Sequence, residues 1–189
     1  MMKRPIAWPL MAIVLVTGCD AVYTRQPIGD EPLALETAQW QGTWLNGEVV
    51  MLTTVLDADN GKLQTAWLER GETGARMEVV VGEVRHTGER VYINSLDEPD
   101  EADEAAPESG GPPYYWARIQ VEERTMTVWM PRMEAFRKAV EEGRLPGRID
   151  ADENVVLDRL EPDHLALIDS PEANLLQWSE PLVLVRVGD

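Results

Sequence analysis

Residues 114–122 read Tyr-Tyr-Trp-Ala-Arg-Ile-Gln-Val-Glu and residues 125–130 read Thr-Met-Thr-Val-Trp-Met, with only Glu123-Arg124 between them. Tyr115, Ala117, Ile119 and Val121 fall on one parity, Trp116, Arg118 and Gln120 on the other. Successive side chains of a strand point to opposite faces, so this alternation predicts two strands joined by a short turn. The same period of two governs the chain before it. Residues 48–56 (EVVMLTTVL) and 62–69 (KLQTAWLE) flank Asp57-Ala-Asp-Asn-Gly61, whose Asn-Gly pair tolerates positive φ and favours a hairpin. Residues 76–86 (RMEVVVGEVRH) and 89–96 (ERVYINSL) flank Thr87-Gly88 and predict another.

The period changes once. Between Pro131 and Gly143, Met133, Phe136, Ala139 and Val140 line one side of a helix, with Glu134, Lys138 and Glu141 on the wet side. Pro131 suits the start, where its missing N–H is no loss, and Gly143 suits the stop. Leu145-Pro146-Gly147 then turns, and short strands are expected near 154–157, 165–168 and 182–187. The fold class is therefore mostly β, a β-rich α+β arrangement. We expect an antiparallel sheet of hairpins, curled or partly closed into a barrel, with one late helix on an edge or end.

Two stretches depart from this pattern. Residues 97–113 (DEPDEADEAAPESGGPP) are acidic and lack large apolar side chains, so a disordered loop is expected. Residues 21–32 contain Pro27, Gly29 and Pro32 with no apolar period, which reads as a flexible tether. The folded domain is expected to span 33–189.

The beginning of the chain carries location. Lys3 and Arg4 precede the mostly apolar Ile6 to Val16, too short for a permanent span but suited to a signal-peptide core. Val16-Thr17-Gly18-Cys19 follows, and Cys19 is the only cysteine. This resembles the lipobox of bacterial lipoproteins. The resemblance implies a signal peptide over residues 1–18, cleavage before Cys19, and covalent lipid such as palmitate on Cys19. It further implies a membrane anchor and a place in the cell envelope facing the periplasm. Asp20 resembles the sorting signal for retention in the inner membrane, which favours that leaflet over the outer membrane. A tether over 19–32 would then link anchor and domain. Removal of Lys3 and Arg4 takes the formal charge from −17 to −19, which disfavours nucleic-acid partners.

Signals for chemistry are sparse. Asp150-Ala-Asp152-Glu-Asn154 matches several oxygen positions of a calcium loop, but Val155 stands where glycine is needed, so a polar turn is expected. His86 and His164 are isolated, and Ser95, Ser109, Ser170 and Ser179 lack a nucleophile-elbow context. We expect neither catalytic residues, nor metal ligands, nor a cofactor beyond the lipid. Trp44, Trp67, Trp116 and Trp129 are candidate core or ligand-lining aromatics. Gly42-x-Trp44 near the start of the β-rich region is similar to the Gly-x-Trp signature of lipocalins, which implies an eight-stranded barrel around an apolar ligand.

Three functions follow, in order of expectation. The first is a non-catalytic envelope lipoprotein, an interaction or accessory module with an envelope protein as partner. The second is a lipocalin-like carrier of a small apolar ligand; the third is an enzyme of unassigned type. A filled interior with an exposed apolar patch favours the first, a continuous buried cavity the second, and converging carboxylates the third.

The lipobox generates a direct prediction. Mass spectrometry of the mature N-terminal peptide should show acylated Cys19, and Cys19→Ser should yield unprocessed or released protein. An unmodified Cys19 in mature, membrane-bound material would overturn it.

Overall fold

In the computed structural model of the chain, residues 21–47, 49–71, 74–96 and 113–188 are described, the side chains of 69–76 excepted. Cys19, Asp20 and the acidic stretch expected to be a loop, up to residue 112, lie outside the described residues.

The alternating stretches form a meander. The strands β3 (Gly42–Asn46), β4 (Val49–Asp57), β5 (Lys62–Gly71), β6 (Gly74–Thr87), β7 (Arg90–Leu96), β8 (Tyr114–Glu122) and β9 (Thr125–Trp129) each pair antiparallel with the next. The last strand, β12 (Leu182–Val187), then inserts between β9 and β3, with Leu184 opposite Met126 and Val185 opposite Leu45. That insertion closes an eight-stranded antiparallel barrel.

The barrel's interior is one core and its flank another. Trp44, Leu63, Val84, Met126 and Leu184 fill the middle at 0–1% exposure, joined by Leu35, Trp40 and Ile119. Outside the wall, Tyr92 of β7 and Trp116 of β8 pack against Phe136, Leu157, Leu165, Ile168 and Leu176. The strands β7 and β8 are thus buried on both faces. The layer over them consists of α2 (Met133–Glu141), α3 (Pro162–Ile168), β10 (Gly147–Ile149) and β11 (Val155–Leu157).

Several sequence expectations need correction. Residues 21–32 are part of the fold rather than a tether, so it begins at least twelve residues before Leu33. Within them β1 (Val22–Thr24) pairs in parallel with β11 and touches β8, and β2 (Glu31–Pro32) pairs with β6. Ile28 is buried, its N–H donating to Asn94 Oδ1 at 2.7 Å and its carbonyl accepting from Asn94 Nδ2 at 3.0 Å. Arg85 holds the carbonyls of Gly29 and Asp30 at 3.0 and 2.9 Å. These partners lie more than fifty residues away, so local periodicity could not reveal them.

Residues 165–168 belong to α3, not to a strand. Glu161 and His164 form a reciprocal capping box and Pro162 opens the helix, while Leu165 and Ile168 share its buried side. A short helix, α1 (Thr37–Trp40), precedes the barrel, so the late helix is not alone. Pro131 stands two residues before α2, in an isolated bridge to Leu176, with Arg132 as the cap.

At the β4–β5 turn only Gly61 of the Asn-Gly pair has positive φ, 67°. Asn60 instead donates twice to the Asp57 carboxylate, at 3.2 Å from its backbone and 2.8 Å from its side chain. A Cβ on Gly61 would strike the Val84 carbonyl oxygen, so the turn also fixes how closely the chain crosses β6.

The α2 helix docks as its sequence predicts. Phe136 is fully buried with its ring 5.6 Å from Trp116, edge to face, and Glu141 is exposed. Phe136→Ala should cost about 3–5 kcal/mol in chemical denaturation, and Glu141→Ala less than about 0.5 kcal/mol. Equal small losses would contradict this docking.

Candidate functional site

Two features of the barrel bear on function: a broad apolar outer face, and a cleft where the wall parts.

The face follows from alternation. Leu63, Thr65 and Trp67 point inward on β5, so Gln64, Ala66 and Leu68 point outward, and register carries this parity across neighbouring strands. Val185, Leu45, Val50, Leu68 and Met77 are successive partners across β12, β3, β4, β5 and β6. The adjacent row reads Val187, Thr43, Leu52, Ala66 and Val79, and the next reads Thr54, Gln64 and Val81. None of these side chains is charged. Five strands at the usual spacing make a band about 19 Å along the wall, which runs half-way round the eight-strand ring from β12 to β6. Ten of the exposed large apolar side chains lie on these strands, at 38–63% exposure. Together they offer roughly 800 Å², beyond the 300–600 Å² of the largest patch on a typical monomer.

The cleft lies on the other side of the barrel. Pairing between β7 and β8 runs from Leu96–Tyr114 to Tyr92–Arg118 and stops there, so Arg90 and Val91 part from Ile119 to Val121. The gap, about 1000 Å³, is lined by these residues, by Leu33, Gln39 and Trp40, and by Asp169 just after α3. The Asp169 side chain is only 7% exposed. Its Oδ2 accepts from the Tyr92 hydroxyl at 2.6 Å and lies 3.0 Å from Arg90 Nε. Arg118 Nε approaches Oδ1 at 3.1 Å but off its N–H axis, a Coulombic contact rather than a hydrogen bond. The Arg118 guanidinium also sits 4.8 Å from the Trp129 ring centre and 5.3 Å from that of Trp178. One buried carboxylate thus meets two guanidiniums and a phenol, not a second carboxylate. Tyr92 and Arg90 meet Oδ2, Oδ1 has only the Coulombic contact with Arg118, and together they pin the end of α3 to the wall.

The tryptophans divide between the two cores. Trp44 fills the barrel and donates from Nε1 to Thr53 Oγ1 at 2.9 Å, with the Arg186 guanidinium 5.8 Å from its ring centre. Arg186 in turn donates to the carbonyls of Ala38 and Gln41. A Cβ on Gly42 would stand 2.9 Å from Arg186 Nε, so the missing side chain in Gly42-x-Trp44 makes room for that guanidinium. Trp116 belongs to the outer core, Trp129 flanks it, and Trp67 is half-buried on the inward parity of β5. The indole N–H groups of Trp67, Trp116 and Trp178 are buried without an acceptor among the described residues, and nothing in the structure explains this.

Other residues weighed from sequence have local duties. Asp150 Oδ1 accepts from the backbone of Asp152 at 3.0 Å and of Asn154 at 2.9 Å, a polar turn leading into β11. His164 Nδ1 caps α3 at 3.0 Å, and His86 Nδ1 lies 3.2 Å from the Gly88 carbonyl. Ser170 opens a 3-10 turn, Pro171–Ala173. Among the described residues no group of three or more His, Cys, Asp or Glu side chains could hold a metal ion.

Comparison with known proteins gives no relative. No family model, curated protein or solved structure matches this chain.

Burial first, then the charge and hydrogen bond of Asp169, raise the Tyr92 phenol above its ordinary value of 10.0. The folded chain therefore keeps a proton that the unfolded chain releases, so this group weakens stability as pH rises above about 10 and not below. Tyr92→Phe should flatten that alkaline decline. It should also lower neutral-pH stability by about 1.5–3 kcal/mol, the range for a hydrogen bond to a charged group. Identical alkaline slopes in denaturation of both proteins would count against this assignment.

Proposed function

We propose that this chain is a membrane-anchored envelope lipoprotein whose barrel is a non-catalytic interaction module. Its contact surface is the outer face of β12, β3, β4, β5 and β6. The observation that carries this reading is a solvent-exposed apolar surface, uncharged over its three central rows and bordered by Lys62 and Glu83, on a barrel whose middle is filled. Apolar surface left in water is unfavourable at about 25 cal/mol per Å², and burying it against a partner recovers that free energy. Trp44, Leu63, Met126 and Leu184 occupy the space that a lipocalin-like carrier would reserve for its ligand, which supports interaction over carriage. The setting of Asp169, one carboxylate among two guanidiniums and a phenol with no second carboxylate in the cluster, supports a structural duty there over acid–base chemistry. Among the described residues no helix is long and apolar enough to cross a membrane. On this reading lipid on Cys19 holds the protein at the periplasmic side, with Asp20 favouring the inner membrane. The partner is another protein of the envelope.

A photo-crosslinking residue at Leu52, the middle of the face, tests the reading in intact envelopes. It should give protein adducts, whereas the same residue at exposed Gln120 beside the cleft should give none. Native mass spectrometry of the purified chain should show no stoichiometric small molecule. A bound apolar molecule and a silent Leu52 would instead favour the carrier.

A further inference from the structure

We propose that the cleft where β7 and β8 part binds a short peptide whose free carboxylate is held by Arg90 and Arg118. The inference rests neither on the lipid anchor nor on the apolar surface, and three observations select this occupant.

The first is unpaired backbone. Beyond the Tyr92–Arg118 pair, β7 keeps only β6 as a neighbour and β8 only β9. In an antiparallel strand the N–H and C=O of one residue point to one side, and those of the next residue to the other. The Val121 carbonyl accepts from Gln39 Nε2 at 3.1 Å, and Gln39 lines the cleft, so Val121 and Ile119 turn their peptide groups into the gap. There the Ile119 carbonyl and the Val121 N–H have no strand partner among the described residues. An extended peptide laid antiparallel to β8 satisfies both. Its third residue donates to the Ile119 carbonyl, and its first residue accepts from the Val121 N–H.

The second is unpaired charge. Arg118 belongs to the pair that closes the gap, and Arg90 lies two residues before Tyr92 on the same outward side. Each brings its Nε to the Asp169 carboxylate, at 3.0 Å for Arg90 and 3.1 Å for Arg118. Neither donates from its terminal Nη nitrogens to an acceptor among the described residues. One carboxylate between two guanidiniums leaves a positive charge unbalanced. The rings of Trp129 and Trp178 hold the Arg118 guanidinium in place, so little freedom is lost when it grips an anion. A carboxylate matches the fork of a guanidinium with two parallel hydrogen bonds.

The third is that the gap is bounded at both ends. It closes where pairing resumes at Tyr92–Arg118, so a chain running along β8 must terminate there. The guanidiniums select a carboxylate terminus over an ammonium. At the other end Gln39 reaches across to Val121, and Glu36, one helical turn before it, lines the same cleft and can meet an amino terminus. From Arg118 to Val121 the strand rises about 10 Å, the length of three extended residues. The exposed rim acids Glu36 and Glu89 disfavour an anion that has no positive end. A ligand so small is expected to bind at about 10 µM to 1 mM and to leave during purification.

The test is calorimetric titration of the purified protein with tri-alanine, its C-terminal amide and its N-acetyl form. Tri-alanine should bind, the amide about tenfold to a hundredfold more weakly, and the N-acetyl form several-fold more weakly. Arg90→Gln should weaken tri-alanine several-fold without weakening the amide further, a coupling that lost packing alone would not produce. Hydrogen exchange at the Val121 amide should slow when tri-alanine is present. No binding of tri-alanine at several millimolar, or equal binding of the amide, overturns the proposal. Inorganic phosphate binding as tightly as tri-alanine also overturns it, since the cleft would then be an anion site alone. The comparison among peptides uses the unaltered protein, so it decides even where Arg90→Gln fails to fold. None of these outcomes bears on the Leu52 photo-adduct, so this inference and the interaction reading fail separately.

Discussion

Closure of the barrel depends on a strand that arrives last. Until β12 enters, β3 and β9 are open edges with unpaired backbone groups, a state that invites pairing with other chains. Nothing between β9 and β12 in sequence can fill the gap, because that stretch is committed to the outer layer. One side chain on β12 fixes its register from both directions. Arg186 lies over the Trp44 ring and donates to the carbonyls of Ala38 within α1 and Gln41 just after it, through space that Gly42 leaves empty. A one-residue slip of β12 would move Leu184 out of the barrel and turn Val183 and Val185 inward. The tie is long-range, spanning 145 residues from Gln41, so the barrel's interior stays incomplete until nearly the whole chain is present.

From that closure comes an asymmetry between the two sides of the wall. The strands β7 and β8 are covered outside by α2, α3 and the small sheet of β1, β10 and β11, so both of their faces are buried. Across the ring, β3 to β6 and β12 are covered only from inside. Their outer positions nevertheless hold valine, leucine and methionine where an antiparallel strand facing water usually alternates to polar residues. Intrinsic strand preference favours valine and explains part of this, but not Leu52, Leu68 or Met77. Burial against something outside the barrel accounts for all of them at once.

Much of the fold was legible in sequence because alternation is a local signal. The hairpins of β4 with β5, β6 with β7 and β8 with β9 follow from period two and short turns, and α2 follows from one apolar stripe. What was not legible depended on distance. The order in residues 21–32 rests on Asn94 and Arg85, and closure rests on Arg186. The helix at 162–168 had local marks, Glu161, Pro162 and His164, but its four apolar residues fit either period. The apolar face was hidden for a different reason. In 76–86 the run Val79-Val80-Val81 reads as a strand, and only register with β5 tells which valines face out. The Asp169 cluster left no mark at all, since its members come from β7, β8 and the end of α3.

Order in the N-terminal segment also changes what a lipid on Cys19 would do. A flexible tether of fourteen residues would let the domain stand well clear of the bilayer. Only Asp20 separates Cys19 from Ala21, which is already hydrogen-bonded to Asn154, so an anchored barrel would be held within a few residues' reach of the surface. At physiological ionic strength the screening length is about 8 Å, comparable to that reach. On the proposed anchoring, a strongly acidic domain so close to anionic headgroups would be repelled yet unable to leave. Rotation about the short anchor would relieve the conflict by turning the rest of the domain outward. Such a rotation would turn the apolar positions of β4, opposite the point of entry, away from the membrane surface.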